Sequence, residues 1–171
     1  MNESIKEQLE STFKAVVVNI LEDSRIVVDV KKEQVLTVLK FLKDRNFDHL
    51  ALVSCVDWIE EKEFELVYIL TGYMQGEKEY TGQERLHLIV KTRISRQSPQ
   101  FETVTGIFQN AEPYEREIHE LFGVKFEGHK RLTPLFLERD YEIPPFRKDF
   151  DTRQYVQDVF DKIPFVENND K

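Results

Sequence analysis

The sequence predicts an α+β fold, with helices packed on one face of a mostly antiparallel sheet and an irregular arm at the C-terminal end. Three observations predict it. Hydrophobic spacing runs in the order helix, strand, helix and then three successive strands. The last two of those strands flank the polar, glycine-bearing connector "MQGEKEYTGQE", which predicts a hairpin. Beyond the middle of the chain, prolines at positions 134, 144, 145 and 164 interrupt every regular pattern.

Element by element, Ile5, Leu9, Phe13, Val16, Val17 and Ile20 recur at three- and four-residue steps, predicting an amphipathic first helix that reaches Ile20. "SRIVVDV" has the β-branched composition of a strand, and "EQVLTVLKFLK" returns to helical spacing through Val35, Leu36, Leu39 and Leu42. "DHLALVSCVDWIEE", "EFELVYILTGY" and "RLHLIVKTRI" are the three strands that follow. "QSPQFETVTGIFQNAEP" mixes turn formers with short apolar pieces and predicts turns or a short helix. Glu112-Pro113 marks a helix start, because proline at the first helical position loses no needed donor. Gly123 marks its stop by supplying a left-handed residue. The expected organisation is an α+β domain over 1–112, a helix and loop over 113–130, and an extended arm over 131–171. That arm keeps Leu135, Phe136, Leu137, Phe146, Phe150, Tyr155, Phe160 and Phe165, too many apolar groups for a solvated linker. They cover the chain's own domain or lie across a partner.

Composition narrows the function. Apolar residues make up 40% of the 171 and charged residues 33%, with a net charge of −8. Such a balance argues against nucleic acid or an anionic lipid surface as partner, since neutralising phosphates needs a basic face. The apolar runs are far shorter than the roughly 20 residues that cross a bilayer. Cys55 is the single cysteine, so no disulfide forms within the chain and no zinc or iron–sulfur site can be held by thiolates alone. A cytoplasmic setting fits.

"YEREIHELFGVKFEGH", Tyr114 to His129, concentrates charge, imidazole and aromatic rings. Tyr114, Ile118, Leu121 and Phe122 form one apolar stripe on a helix; Glu115 and His119 lie beside it, Arg116 and Glu120 are spaced to pair, and Glu117 flanks the other edge. Three readings compete. Glu115, His119 and His129 could ligate a metal in a small hydrolase or lyase, although the second histidine of H-E-x-x-H is missing. A carboxylate could tune an imidazole for acid–base work, although no nucleophile accompanies it. Or one face packs in the core and the charges pair internally or at an interface, where desolvation makes them orient a partner strongly. The last reading leads. His129 then hydrogen-bonds the loop backbone or pins it through an ion pair.

"ERE", an acid two residues on, "LFG" and "F-x-GH" together resemble the signature of the C-subunit family of respiratory complex I (NADH–quinone oxidoreductase), which includes the equivalent subunits of membrane-bound, energy-converting [NiFe] hydrogenases. The residues that carry the resemblance are Glu115, Arg116, Glu117, Glu120, Leu121, Phe122, Gly123, Phe126, Gly128 and His129. A second block, "PFRKDF", is similar to the family's P-L-R-K-D-F and contributes Phe146, Arg147, Lys148, Asp149 and Phe150. The resemblance implies a cofactor-free subunit of the peripheral arm, on the cytoplasmic side of the membrane. It would dock through these residues on a large catalytic subunit. The quinone or [NiFe] site and the iron–sulfur clusters would belong to partner subunits, and membrane attachment to others still. Departures from the family pattern are Glu120 for aspartate, His119 for an aromatic, Lys130-Arg131-Leu132 after Gly128-His129, and Pro144 for histidine. They point towards the hydrogenase-type relatives.

Overall fold

Ala15 divides what the spacing presents as one helix. Helix α1 spans Asn2–Thr12, Ala15 takes a positive φ of 85°, and the chain re-enters as strand β1, Val17–Glu22. The first helix is therefore shorter than expected, and the residues themselves explain it. Within "VVVNI", Val16 and Val18 are buried while Val17 is exposed, a period of two that a β-branched run satisfies more readily than a helix does. The described residues are 2–22, 24–73, 85–137 and 141–159 of this computed structural model. The connector at 74–84 and the aromatics Phe160 and Phe165 lie outside them.

Strand β2 (Arg25–Asp29) leads through a one-turn helix into α2 (Val35–Lys43). Strands β3 (His49–Trp58), β4 (Glu63–Tyr73) and β5 (Arg85–Ser95) follow. The sheet order is β1-β2-β5-β4-β3, antiparallel throughout except for the β2–β5 pair. The expected α+β class and mostly antiparallel sheet are thus present. The crossover through α2 lets β3 run in the direction of β2, and two antiparallel reversals later β5 runs that way too, so the β2–β5 pair is parallel.

Alternation assigns the faces. Val53, Cys55, Phe64, Leu66, Tyr68, Leu70, Leu88, Val90, Ile26 and Val28 point into one core with Leu9, Val38, Leu39 and Leu42 of the helices. Leu52, Val56 and Trp58 point the other way and are exposed, as are Val17 and Leu21. Glu65 crosses that open face to Arg93 at 3.0 Å and Lys91 at 3.8 Å.

After β5, two three-residue strands, β6 (Gln100–Glu102) and β7 (Lys125–Glu127), pair in parallel. Neither is legible in so short a pattern. Between them runs helix α3 (Glu112–Phe122), and Ile118, Phe101, Val124 and Phe126 all join the main core. Helix α3 and the turn that precedes it cover the edge strand β3: Asn110 Nδ2 donates to the Leu50 carbonyl at 2.8 Å and the Tyr114 hydroxyl to that of Ala51 at 3.1 Å. These carbonyls flank a bulge in β3, where an open edge would otherwise invite pairing. Helix α4 (Thr152–Val159) is the one regular element described in the arm.

Candidate docking site

The signature residues sit where the arm meets α3. Gly123 ends the helix at φ 78°, its N–H donating to the His119 carbonyl at 2.8 Å. The last carbonyls of a helix need donors from elsewhere, and the arm supplies them. Phe146 N–H donates to the Leu121 carbonyl at 3.0 Å, and Arg147 Nε–H to that of Phe122 at 2.7 Å. A cation at this end also suits the helix dipole. A Cβ on Gly123 would stand 3.0 Å from Arg147 Nη2 and 3.1 Å from Pro144, so glycine serves both the turn and the close approach.

Arg116 and Glu120 hold the next stretch of arm. The i, i+4 pair expected between them is replaced: Arg116 donates to the carbonyls of Thr133 at 3.0 Å and Pro134 at 2.9 Å, and reaches Glu112 at 3.4 Å. The Glu120 carboxylate instead receives the backbone N–H groups of Leu135, Phe136 and Leu137 at 2.5 to 3.1 Å. Burial alone would raise its pKa, but these three donors outweigh that and hold it below the ordinary glutamate value. Glu120→Ala is expected to release residues 133–137 and cost about 1–3 kcal/mol. Limited proteolysis should then cut this stretch faster than in the native chain, and an unchanged cleavage rate would refute the clamp.

A cluster of three charged side chains anchors "RKD". Arg96, just past β5, donates from Nε and Nη2 to both oxygens of Asp57 at 2.8 and 3.1 Å, and reaches Asp149 at 2.5 Å. Lys148 contributes its backbone N–H to Asp57 at 2.9 Å, while its side chain is exposed. Asp57 is 4% exposed on the inward face of β3. Burial pushes its carboxyl up, but Arg96 and the Lys148 amide bring it below the usual aspartate value. Phe122 stacks edge-on between Phe64 and Phe146, with ring centres 5.8 and 5.9 Å away. Phe150 clusters with Tyr141 and Tyr155 at 5.9 and 5.6 Å.

Glu115 lies inside. It is fully buried, accepting from Thr103 Oγ1 at 2.5 Å and the Val104 N–H at 2.7 Å. Burial pushes its pKa up to about 7. His129 Nε2 stands 3.9 Å from it and 3.4 Å from the Glu112 carbonyl. Because His129 Nδ1 accepts the Arg131 N–H at 3.1 Å, the proton of the neutral ring sits on Nε2, towards those oxygens. Gly128 precedes it at φ 81°. His119 turns its Nδ1 to the Val124 carbonyl at 2.8 Å. Glu115, His119 and His129 therefore do not converge, and among the described residues no group of three His, Cys, Asp or Glu side chains could hold a metal ion. Glu117 is half-buried on the same helix.

Sequence reading missed Asp57, Arg96 and Thr103. Asp57 left a signal: counting from Val53 and Cys55 places an acid on the apolar face of β3, where only a paired charge is tolerated. Arg96 and Thr103 left none, since each sits beyond a strand end.

Fold and site together define an α+β module whose C-terminal arm is tied back onto its signature helix. The chain belongs to the family described as respiratory-chain NADH dehydrogenase, 30 Kd subunit, whose model matches residues 28–156. It is similar to the C subunit of F(420)H(2) dehydrogenase from Methanosarcina mazei, 37% identical over 74% of this chain and 76% of that one. It is also similar to the C subunit of NADH-quinone oxidoreductase from Trichlorobacter lovleyi, 30% identical over 84% and 86%. Among solved structures, a chain of the membrane-bound sulfane sulfur reductase, an archaeal respiratory membrane complex, superposes with a TM-score of 0.79. That match has 31% identity and covers 99% of this chain and 97% of the other.

Proposed function

We propose that this chain is a cofactor-free structural subunit of a membrane-bound, complex I-like redox complex, docked on its large catalytic subunit. The similarity to a chain of the sulfane sulfur reductase complex carries this reading, because it runs through the arm as well as the domain. Chemistry supports it too. The single cysteine, Cys55, is buried and its thiol pushed up to about 12 by that burial, so it is a poor metal ligand or nucleophile. The arm also spends many polar bonds on fixing its own path while leaving Phe136, Ile143 and Phe146 exposed at 67%, 39% and 59%. A strap held this firmly with its aromatic side outward is a preformed docking surface. In this reading Glu115, Arg116 and Glu120 shape the surface from beneath, and the arm over 131–171 presents it.

No helix among the described residues is long and apolar enough to cross a membrane. The place assigned here is peripheral, on the cytoplasmic side, with attachment through other subunits. A hydrogenase-type parent is the finer reading; it rests on the departures after Gly128-His129, with a complex I parent as its alternative. Affinity purification of the tagged chain from native membranes should bring down a large catalytic subunit and iron–sulfur subunits. Recovery as a free monomer would end the proposal. Nickel in the purified complex would support the hydrogenase type, and NADH oxidation without nickel the complex I type.

A further inference from the structure

The latch uses only part of Arg147. Its Nε–H goes to the Phe122 carbonyl, and its guanidinium lies 5.2 Å from the centre of the Phe64 ring. The N–H groups on its two Nη nitrogens have no acceptor among the described residues, and no described carboxylate comes within ion-pairing distance. Asp57 and Asp149, the acids that act on it electrostatically, are both held by Arg96. Burial, with the like charge of Arg96 added, lowers the Arg147 pKa from its ordinary value, while Asp149 and Asp57 act in the opposite direction. Two cations, Arg96 and Arg147, share the two carboxylates here, and Arg96 is the one that takes the side-chain hydrogen bonds of both. Next to the open fork, Phe146 packs one side on Phe122 and leaves 59% of its surface exposed.

We propose that the Arg147 fork and the exposed Phe146 ring form a two-point seat for an acidic segment of the large partner subunit. An Asp or Glu carboxylate is received by the two Nη groups, and an apolar side chain beside it covers Phe146. The inference rests on the docking reading above and names the chemistry of the partner. A planar fork matches a carboxylate in two parallel hydrogen bonds. A phosphate dianion fits less well, because Asp57 and Asp149 already place negative charge next to the seat. The position next to an exposed ring, partly shielded from water, makes the pair an orienting contact rather than a weak surface bridge.

The test is retention of the large subunit on the tagged full chain after extraction from native membranes, at low and at moderate salt. Arg147→Lys keeps a cation at the end of α3 but removes the fork, and is expected to lower retention about tenfold at moderate salt. Phe146→Ala should lower it comparably. Lys40→Gln, which alters an exposed cation on α2, should leave it unchanged. Wild-type retention by both Arg147→Lys and Phe146→Ala overturns the seat while leaving the docking reading intact; failure of the wild-type chain to retain any large subunit overturns the docking reading itself. If Arg147→Lys lowers the melting temperature of the free chain, Phe146→Ala alone decides. A structure of the assembled complex should show a partner Asp or Glu on the fork, and solvent or a lipid phosphate there would refute the assignment.

Discussion

Arg96→Ala is expected to destabilise the free chain by about 3–5 kcal/mol, because it strands a carboxylate that the fold has taken out of water. Asp57 exposes 2% of its side chain, and Arg96 supplies two of the three hydrogen bonds it receives. Removing Arg96 leaves the Lys148 N–H alone against a buried negative charge. The arm loses its tie at the same moment, since Asp149 binds the same guanidinium. Urea denaturation should show the loss as a lower midpoint, and for a chain of this size the melting temperature should drop by roughly 10 °C. Asp57→Asn should cost less, because the amide leaves no charge behind. The double variant Arg96→Ala with Asp57→Ala should fall well short of the sum of the two single losses. An additive result would show that the two side chains act independently and that the cluster is not the anchor described. The pH dependence has a definite sign. The pKa of Asp57 is depressed in the fold, so its contribution is present above the unfolded value of 3.8 and is lost as pH falls through the folded one.

Glu115 is expected to give the opposite slope. Its folded pKa of about 7 lies above the ordinary 4.5, so the folded chain holds a proton that the unfolded chain has released. Stability is then fully present below 4.5 and declines as pH rises through about 7, by on the order of 3 kcal/mol in total. Glu112 and His129 face Glu115 from the helix and the loop, and the Tyr68 hydroxyl senses its charge from β4. Glu115→Gln keeps an acceptor for the Val104 N–H and removes the titration. Denaturation midpoints of the variant at pH 5 and pH 8 should therefore agree, while those of the wild-type chain differ. The same decline with pH in Glu115→Gln would place the titrating group elsewhere. Thr103, which donates its hydroxyl to Glu115, also gives its N–H to the Glu127 carbonyl at 2.9 Å, next to Gly128 and His129.

Both effects come from a division of labour within one motif. "ERE" looks like a charged helix face, and its spacing offers Arg116 to Glu120 and Glu115 to His119. The structure satisfies Arg116, Glu120 and Glu115 mainly from other parts of the chain. Backbone carbonyls of the arm take Arg116, backbone amides of the arm take Glu120, and the turn after β6 takes Glu115. Helical spacing identifies which residues share a face, but a solvated pair on one helix is worth only a few tenths of a kcal/mol. A buried carboxylate with two or three donors gains far more, so the tertiary partners win.

Local pattern was enough for the class of fold, the strands β2 to β5, the bounds of α3 and the family, because each rests on short-range periodicity or on motif residues in a set order. It also named the residues of both motif blocks. It could not say who holds whom. The break at Ala15 came from the fold, as did the pairing of β6 with β7. So did the inward Asp57 with its capture by Arg96, and the folding of "PFRKDF" onto the end of α3. Most of these are contacts between segments distant in the chain. Periodicity is blind to such contacts, because it reports which side of an element is apolar and not which polar group elsewhere completes it.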